Sequence, residues 1–494
     1  MNFLDHLPVY AVIIPLLAAP LIVMIGRNTM AWKIALAAAW ISLFSTVALL
    51  WRVAASGTIS YQLGGWAPPW GIEYRIDLLS AYVLLIVTAI AALVLCFARL
   101  SIEREIPRER IAHFYAAFLL AFAGLAGITI TGDAFNVFVF LEISALASYA
   151  LISMGRDRRA LNASFQYLIM GTIGATFILI GIGFLYMMTG TLNMVDLAER
   201  LPAVADTRTV RAGFAFLTVG IGLKLALFPL HLWLPNAYAY APSVVSAFLA
   251  ATATKVAVYA MLRFMFTVFG VDFAFEDMPL GIILIALGLM GILSASLVAV
   301  FQDNVKRILA YSSVAQIGYM ALGIGLASST GVTAAILHLF NHALMKGALF
   351  LALGAVAYRI GAVSLRDLAG LGRRMPWTMA GIVIGGLSLI GVPATAGFIS
   401  KWYLVLGTLE QGMWPLAVLI LVGSILALVY VWKIVEAAYF TEPGDNAAQI
   451  KEAPLSMLIP IWVLVIANLY FGIHTNFTVG VAQSATAVLL GAGQ

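Results

Sequence analysis

The chain has 494 residues and a formal net charge of +5; 63% of its residues are hydrophobic and only 10% are charged. A water-soluble protein of this length would need several domains with charged surfaces, which so few charged residues cannot supply, so the composition excludes a soluble fold. The single cysteine, Cys96, excludes a disulfide framework, a cysteine-ligated zinc site and an iron–sulfur cluster within the chain. The basic residues lie in short loops between apolar runs, so we expect no nucleic-acid partner. Residues 1–8 carry no basic region before the first apolar run, so no cleaved signal is expected.

Apolar runs long enough to cross a bilayer, which takes about 20 residues, recur along the whole chain. They predict an all-α polytopic membrane protein with about 14 transmembrane helices. The predicted spans are, in chain order, 8–26, 31–51, 78–98, 112–131, 134–154, 162–189, 210–230, 241–266, 279–300, 305–326, 331–358, 377–407, 413–439 and 455–474. Between two of them, residues 190–209 alternate apolar and charged side chains, which predicts a short amphipathic segment at the membrane interface.

The charges of the loops predict the orientation of the chain. Most loop lysines and arginines fall on one side of the predicted membrane, among them Arg104, Arg156, Arg159 and Arg359. Because basic loops stay in the cytoplasm, this side is predicted to be cytoplasmic. Both termini are then predicted to lie on the outer side of a bacterial inner membrane.

Five basic residues lie well inside the predicted spans, away from their ends, and all five are lysines. They are Lys224, Lys255, Lys346, Lys401 and Lys433. Each charge near the centre of a bilayer costs roughly 2.5–3.5 kcal/mol, so we expect them to have a function. Lysine, unlike arginine, can lose its proton when it is removed from water. The pattern therefore indicates a proton path or an ion site.

Acidic and peripheral residues refine this interpretation. Glu142 is the one acidic residue deep in a span. It can belong to the proton path, or it can instead form a structural ion pair with a lysine of another helix. Lys433 lies near Glu436 at a span end and can instead reach the surface. Lys306, beside Asp303 at a span entrance, is expected to be an interfacial anchor.

Two histidines, His338 and His342, are spaced to share a helix face with Lys346. An i, i+4 histidine pair can bind zinc, but Leu339 follows the first histidine where a zinc peptidase has glutamate, and no carboxylate lies nearby. Because histidine titrates near neutral pH, the three residues are better suited to relaying protons. We predict no metal site and no cofactor.

Two predicted spans contain a proline close to a lysine. Pro229 follows Lys224, and Pro393 precedes Lys401. Proline removes a backbone donor and frees a carbonyl, which a membrane tolerates only where protein or water satisfies it. We therefore predict that these two helices are broken, as in transporters built from two inverted repeats.

Four segments together resemble the proton-translocating antiporter-like membrane subunits. This family contains the A and D subunits of the multisubunit (Mrp-type) Na+/H+ antiporters and the antiporter-like subunits of respiratory complex I and membrane-bound hydrogenases. The segments are 140–142, 224–255, 338–347 and 391–401. The length and the sequence Ser400-Lys401-Trp402 are most similar to the Mrp-type D subunit or its hydrogenase relative. Ala257 stands where the family leads us to expect glycine.

The resemblance implies two inverted five-helix repeats, spans 4–8 in residues 112–270 and spans 9–13 in residues 271–440. Helices 7 and 12 would be the broken ones. Residues 1–111 would form helices 1–3, and residues 441–494 a loop, helix 14 and the C-terminal tail. The proton-path roles transfer onto Glu142, Lys224, Lys255, His338, His342, Lys346 and Lys401. Glu142 and Lys224 are expected to act as a pair, separated by water or by a helix.

Three functions remain open at this stage. The first is an ion-translocating subunit that moves protons along a mid-membrane chain, coupled to Na+ efflux through other membrane subunits. The alternative couples the same path to electron transfer in a complex I-type oxidoreductase or a membrane-bound hydrogenase. The third is a self-contained solute symporter, which the linear arrangement of titratable residues disfavours.

Overall fold

The computed structural model describes residues 3–361, 363–442 and 450–491, and this part of the chain is almost entirely helical. Its helices are α1 (Leu7–Ile25), α2 (Asn28–Ser56), α3 (Leu78–Glu105), α4 (Ile111–Ile130), α5 (Ala134–Ser153), α6 (Arg159–Thr189), α7 (Met194–Arg200), α8 (Arg208–Leu225), α9 (Trp233–Tyr240), α10 (Ser243–Ala251), α11 (Ala253–Leu262), α12 (Leu280–Val300), α13 (Val305–Gly325), α14 (Ser329–Ile360), α15 (Leu371–Arg374), α16 (Pro376–Ile390), α17 (Ala396–Glu410), α18 (Trp414–Tyr439), α19 (Leu455–Ile473) and α20 (Asn476–Leu489). The antiparallel strands β1 (Ile59–Gln62) and β2 (Glu73–Ile76) form a small hairpin between α2 and α3.

Twelve helical segments of the described residues are long and apolar enough to cross a membrane, judged by length and composition. They correspond to 12 of the predicted spans, and a polytopic membrane fold is therefore confirmed. The other two predicted spans, 210–230 and 377–407, coincide with α8 and the turn after it, and with the pair α16–α17. The predicted loop 441–454 and the tail lie partly outside the described residues.

The helices form a buried centre and an apolar periphery. Every residue of α14 from Gly331 to Val356 is buried. The segment 243–268, which contains α10 and α11, and the helix α13 are almost completely enclosed. In each of them 94% of the most apolar stretch of 18 residues is buried, against 33% in α18 and 39% in α6. The exposed apolar side chains of the outer helices suit contact with lipid or with other membrane proteins. Lys255 of α11 and His338, His342 and Lys346 of α14 are buried among these helices and shielded from both.

Both predicted breaks are present. After Leu225 the chain turns at Ala226 (φ 60°), and α9 begins at Trp233. After Ile390 it turns at Gly391 (φ 90°), and α17 begins at Ala396. A side chain at Gly391 would collide with the methylenes of Lys401, since its Cβ would lie 2.9 Å from the Cδ atom of that lysine.

Several elements were not predicted. Thr252 (φ −125°, ψ −56°) interrupts the eighth predicted span and separates α10 from α11. The polar stretch after α2 contains the hairpin, whose Glu73 accepts hydrogen bonds from Ser60 Oγ and, at 2.8 Å, from Asn193 Nδ2. That asparagine caps α7, which lies inside the predicted amphipathic segment 190–209. Helix α20 was also missed.

Candidate functional site

The site begins at the break after α8, where Lys224 meets Glu142 of α5. Lys224 Nζ lies 3.3 Å from Glu142 Oε1, and the side chains are 6% and 24% exposed. The two groups are in direct contact, so the expectation of a water or a helix between them is wrong. A cavity of about 40 Å³ beside Lys224 is lined by Ala253 and Ala257 of α11, which is room for a water molecule.

Lys255 is fully buried on α11. Its Nζ atom donates to the carbonyl of Ala250 and, at 3.4 Å, to Thr254 Oγ1. The break at Thr252 interrupts the i→i+4 hydrogen-bond ladder at this point, so a backbone carbonyl near the end of α10 can accept from the lysine. No carboxylate of the described residues lies within 4.0 Å of this ammonium group.

The centre of the site lies on α14. The rings of His338 and His342 are stacked with centroids 5.9 Å apart and an interplanar angle of 8°. His338 Nδ1 is 2.8 Å from Ser400 Oγ. Its Nε2 atom and both ring nitrogens of His342 have no hydrogen-bond partner among the described residues. One turn beyond His342, the buried Lys346 donates to Leu309 O at 2.7 Å and to Ser312 Oγ at 2.5 Å.

Lys401 lies at the second break. Its Nζ atom donates to the carbonyls of Leu389 and Ile390 at 2.9 and 3.0 Å and to Ser424 Oγ at 3.0 Å. These carbonyls belong to the last turn of α16, which has lost its helical donors and carries the negative end of the helix dipole. The break therefore creates the binding place for this cation.

Sequence reasoning missed a residue that contacts both Lys401 and His338. Tyr319 of α13 lies with its ring 4.6 Å below Lys401 Nζ and with its centroid 5.7 Å from that of His338. A tyrosine in an apolar span carries no signal of its own, because aromatic residues are common there. Lys433 is outside the group, since its Nζ atom donates to Val300 O at the end of α12.

The charges of the site are strongly unbalanced. In residues 3–361, 363–442 and 450–491, Glu142 is the only carboxylate within 4.0 Å of any of the four site lysines. Like charges in a medium of low dielectric constant repel strongly, so the site disfavours having all its basic groups protonated at once. Among the described residues, no group of three or more His, Cys, Asp or Glu could hold a metal ion.

Comparisons with known proteins identify the family. The family model described as NADH:quinone oxidoreductase/Mrp antiporter, TM, matches residues 131–427. The NADH-quinone oxidoreductase N subunit of Desulforudis audaxviator is 42% identical over 486 residues, which are 95% of this chain and 96% of the relative. The Na(+)/H(+) antiporter D subunit of Bacillus subtilis is 30% identical over 488 residues, which are 99% and 98% of the two chains.

A solved structure gives the same result for the fold. A chain of the Mrp complex from Dietzia sp. matches with a TM-score of 0.91 at 26% identity, over 100% of this chain and 98% of that chain. The resemblance drawn from the glutamate, lysine and histidine motifs is thereby confirmed. The chain belongs to the family of NADH:quinone oxidoreductase and Mrp antiporter transmembrane subunits.

Proposed function

We propose that this chain is a proton-translocating subunit of a multisubunit Na+/H+ antiporter. Protons move along the line of residues formed by Glu142, Lys224, Lys255, Lys346, His342, His338 and Lys401. The observation that carries the proposal is this series of buried titratable side chains at the centre of the helix bundle. It runs from the ion pair of Lys224 at one break to Lys401 at the other.

The partners of the lysines support proton transfer. Lys255, Lys346 and Lys401 are held by carbonyl and hydroxyl oxygens, which accept hydrogen bonds from a neutral amine as well as from an ammonium group. In each step one N–H bond breaks at a lysine or histidine, and either an N–H bond forms at the next nitrogen or an O–H bond forms at a bridging water. The donor becomes neutral and is then protonated from behind, so one proton moves and nothing is oxidised.

The architecture of the proposed subunit follows the sequence prediction. Residues 112–270 and 271–440 would be the two inverted repeats, preceded by helices 1–3 in residues 1–111 and followed by helix 14 in residues 441–494. The placement of Lys224 and Lys401, each beside a break, supports two related halves. The basic loops support an orientation in a bacterial inner membrane with both termini on the outer side.

Other membrane subunits are the proposed partners. Glu142 is 24% exposed on α5, which also exposes Phe135 and Leu146. A carboxylate facing lipid inside a span is costly, so a neighbouring subunit would cover this face. The matched relatives are named as subunits of larger assemblies, which supports the same conclusion.

The alternative function keeps the proton path and couples it to a redox enzyme. The relative that is 42% identical is named as an NADH-quinone oxidoreductase subunit, which favours this second candidate. Any redox cofactor would then belong to a partner subunit.

Transport by the assembled complex tests the proposal. The chain is expressed with the membrane subunits encoded beside it, and everted vesicles are assayed for Na+-dependent dissipation of a pH gradient, with Lys401→Gln as the matched control. We expect exchange by the complex and none by the chain alone, since no cluster of oxygen ligands for Na+ stands out in its sequence. Exchange by the purified single subunit would refute the multisubunit proposal, and proton pumping that requires an electron donor instead of Na+ would favour the alternative.

A further inference from the structure

A charged cavity opens at the membrane face that carries the basic loops. Its volume is about 310 Å³, and it is bordered by the ends of α3, α9 and α14 and the start of α10. Arg104, Arg156 and Arg159 line it together with Glu105 and Asp157. Because both signs of charge are present, the cavity is suited to water rather than to one anionic or cationic ligand.

Lys306 also lines this cavity and has no part in the line of residues described above. The sequence predicted an interfacial anchor, and this is wrong, because Lys306 is only 6% exposed. Its Nζ atom donates to Ser243 Oγ at 3.2 Å and to Ala241 O at 3.4 Å. The nearby Glu105 accepts from the backbone N–H of Ser243 at 2.9 Å instead of pairing with the lysine.

A structural role alone does not explain this arrangement. A buried ammonium group is costly unless it is paired with a carboxylate, yet no carboxylate of the described residues lies within 4.0 Å of Lys306 Nζ. The proposed relay lysines Lys346 and Lys401 have hydroxyl and carbonyl partners of the same kind. Such partners allow Lys306 to bind and to release a proton. Lys433 has carbonyl partners too but is partly exposed, whereas Lys306 is buried beside the charged cavity.

Lys306 lies a short distance from Lys255 and Lys346, two members of the proposed proton path. Ser243 begins α10, and Ala250, whose carbonyl accepts from Lys255, lies seven residues further along that chain segment. At 1.5 Å per residue this separation is about 10 Å. On α13, Lys306 and Ser312, which accepts from Lys346, are six residues apart, about 9 Å. Roughly three hydrogen-bonded water molecules or hydroxyl groups would bridge such a gap.

We propose that this cavity and Lys306 form the inlet through which protons reach Lys255 and Lys346 from the face with the basic loops. The proposal rests on the proposed proton-translocating function. In the transfer, a hydronium ion in the cavity gives its proton to the neutral amine of Lys306, which forms an N–H bond and leaves water. Lys306 then releases one proton to a water or hydroxyl on the side of Lys346 and returns to the neutral amine.

Four variants of the assembled complex test the inlet. Lys306→Arg keeps the charge and the hydrogen bonds but cannot release a proton at usable pH, and Lys306→Gln keeps only a polar side chain. Lys433→Gln is the matched control, because Lys433 also donates to a backbone carbonyl at a helix end, and Lys401→Gln is the reference for a blocked line. The assembled amount and the transport rate in vesicles are measured together for each.

We expect both Lys306 variants to assemble and to lose about 100-fold or more of the transport rate, the lower end of what a positioned proton-transfer group contributes. The Lys433 control should keep the wild-type rate. Wild-type transport by Lys306→Arg overturns the inlet, and so does failure of both Lys306 variants to assemble, which would indicate a structural lysine. Absence of transport by the wild-type complex overturns the proposed function.

A labelling experiment tests the cavity without any transport assay. The chain has one cysteine, so Cys96→Ser gives a cysteine-free background. Ala357 lines the cavity, whereas Ala355, two residues earlier on α14, is fully buried. We expect a membrane-impermeant maleimide to label Ala357→Cys, but not Ala355→Cys, from the face with the basic loops only. No labelling of Ala357→Cys, or labelling from the opposite face, overturns the inlet.

Discussion

Replacement of Glu142 by glutamine distinguishes a proton relay from a structural ion pair. Lys224 Nζ lies 3.3 Å from Glu142 Oε1, and two unit charges at this distance attract each other by about 5 kcal/mol at an effective dielectric constant of about 20. The cost of taking both groups out of water offsets part of this energy. Removal of one partner leaves a penalty of about 3–5 kcal/mol if the other stays charged.

The relay predicts a different outcome, because lysine can lose its proton. Glutamine still offers an oxygen to the Lys224 amine, and a neutral amine pays no unpaired-charge penalty. We therefore expect Glu142→Gln to assemble at close to the wild-type amount while transport falls by about tenfold or more. Glu142→Asp, which is shorter but still acidic, should keep a fraction of the transport with a shifted pH optimum.

Abundance of the assembled complex and transport in vesicles are measured side by side. Glu436→Gln is the control, because it removes an acidic group from an exposed position on α18. The double variant Glu142→Gln/Lys224→Gln removes both charges and hence any unpaired one. Transport that falls only in proportion to assembly in the single variant, and recovers with assembly in the double variant, would refute the relay.

Three further changes have defined outcomes. Lys401→Arg keeps a cation at the carbonyls of α16 but cannot release a proton, so we expect normal assembly and no transport; near wild-type transport would leave Lys401 a structural cation. Tyr319→Leu removes the ring below Lys401 Nζ and should slow transport, whereas Tyr319→Phe keeps that ring and should retain the wild-type rate. Asp77→Asn breaks the buried pair with Arg263 and should cost about 3–5 kcal/mol at neutral pH. Burial alone would raise the pKa of Asp77, but the Arg263 guanidinium and hydrogen bonds from Ser80 hold that pKa below its ordinary value of 3.8. The stabilisation requires the ionised carboxylate, so the higher thermal stability of the wild type over Asp77→Asn should be lost as the pH falls below about 4.

The sequence predicted the charged members of the site because charge is rare and costly inside a membrane. Glu142, Lys224 and Lys401 each stand out in an apolar run, and the prolines near the two lysines marked the breaks that hold them. The histidine pair on α14 was found from its spacing alone. In these cases one residue carries a large free-energy cost that only a specific environment can offset.

Features without such a cost could not be predicted. Thr252 interrupts a helix with no proline or glycine beside it, and Tyr319 looks like any aromatic residue of a span. The strands of the hairpin are four residues each, too short for an alternating pattern to stand out. Burial of Lys306 depends on the turn at Ala241 and Ser243, which lies more than 60 residues away in the chain.

The kind of partner that each lysine has explains why one chain can hold several of them and still release protons. A carboxylate partner keeps a lysine charged, whereas a carbonyl or hydroxyl partner is satisfied by the neutral amine as well. Lys255 and Lys401 find such carbonyls where a helix is interrupted, and Lys346 finds one on a neighbouring helix. Among the site lysines and within the described part of the chain, only Lys224 is held by a carboxylate, at the side of the bundle where Glu142 is partly exposed. A charge on a neighbouring subunit would therefore act first on this pair, and the state of the pair would decide whether a proton is held there or passed toward Lys255.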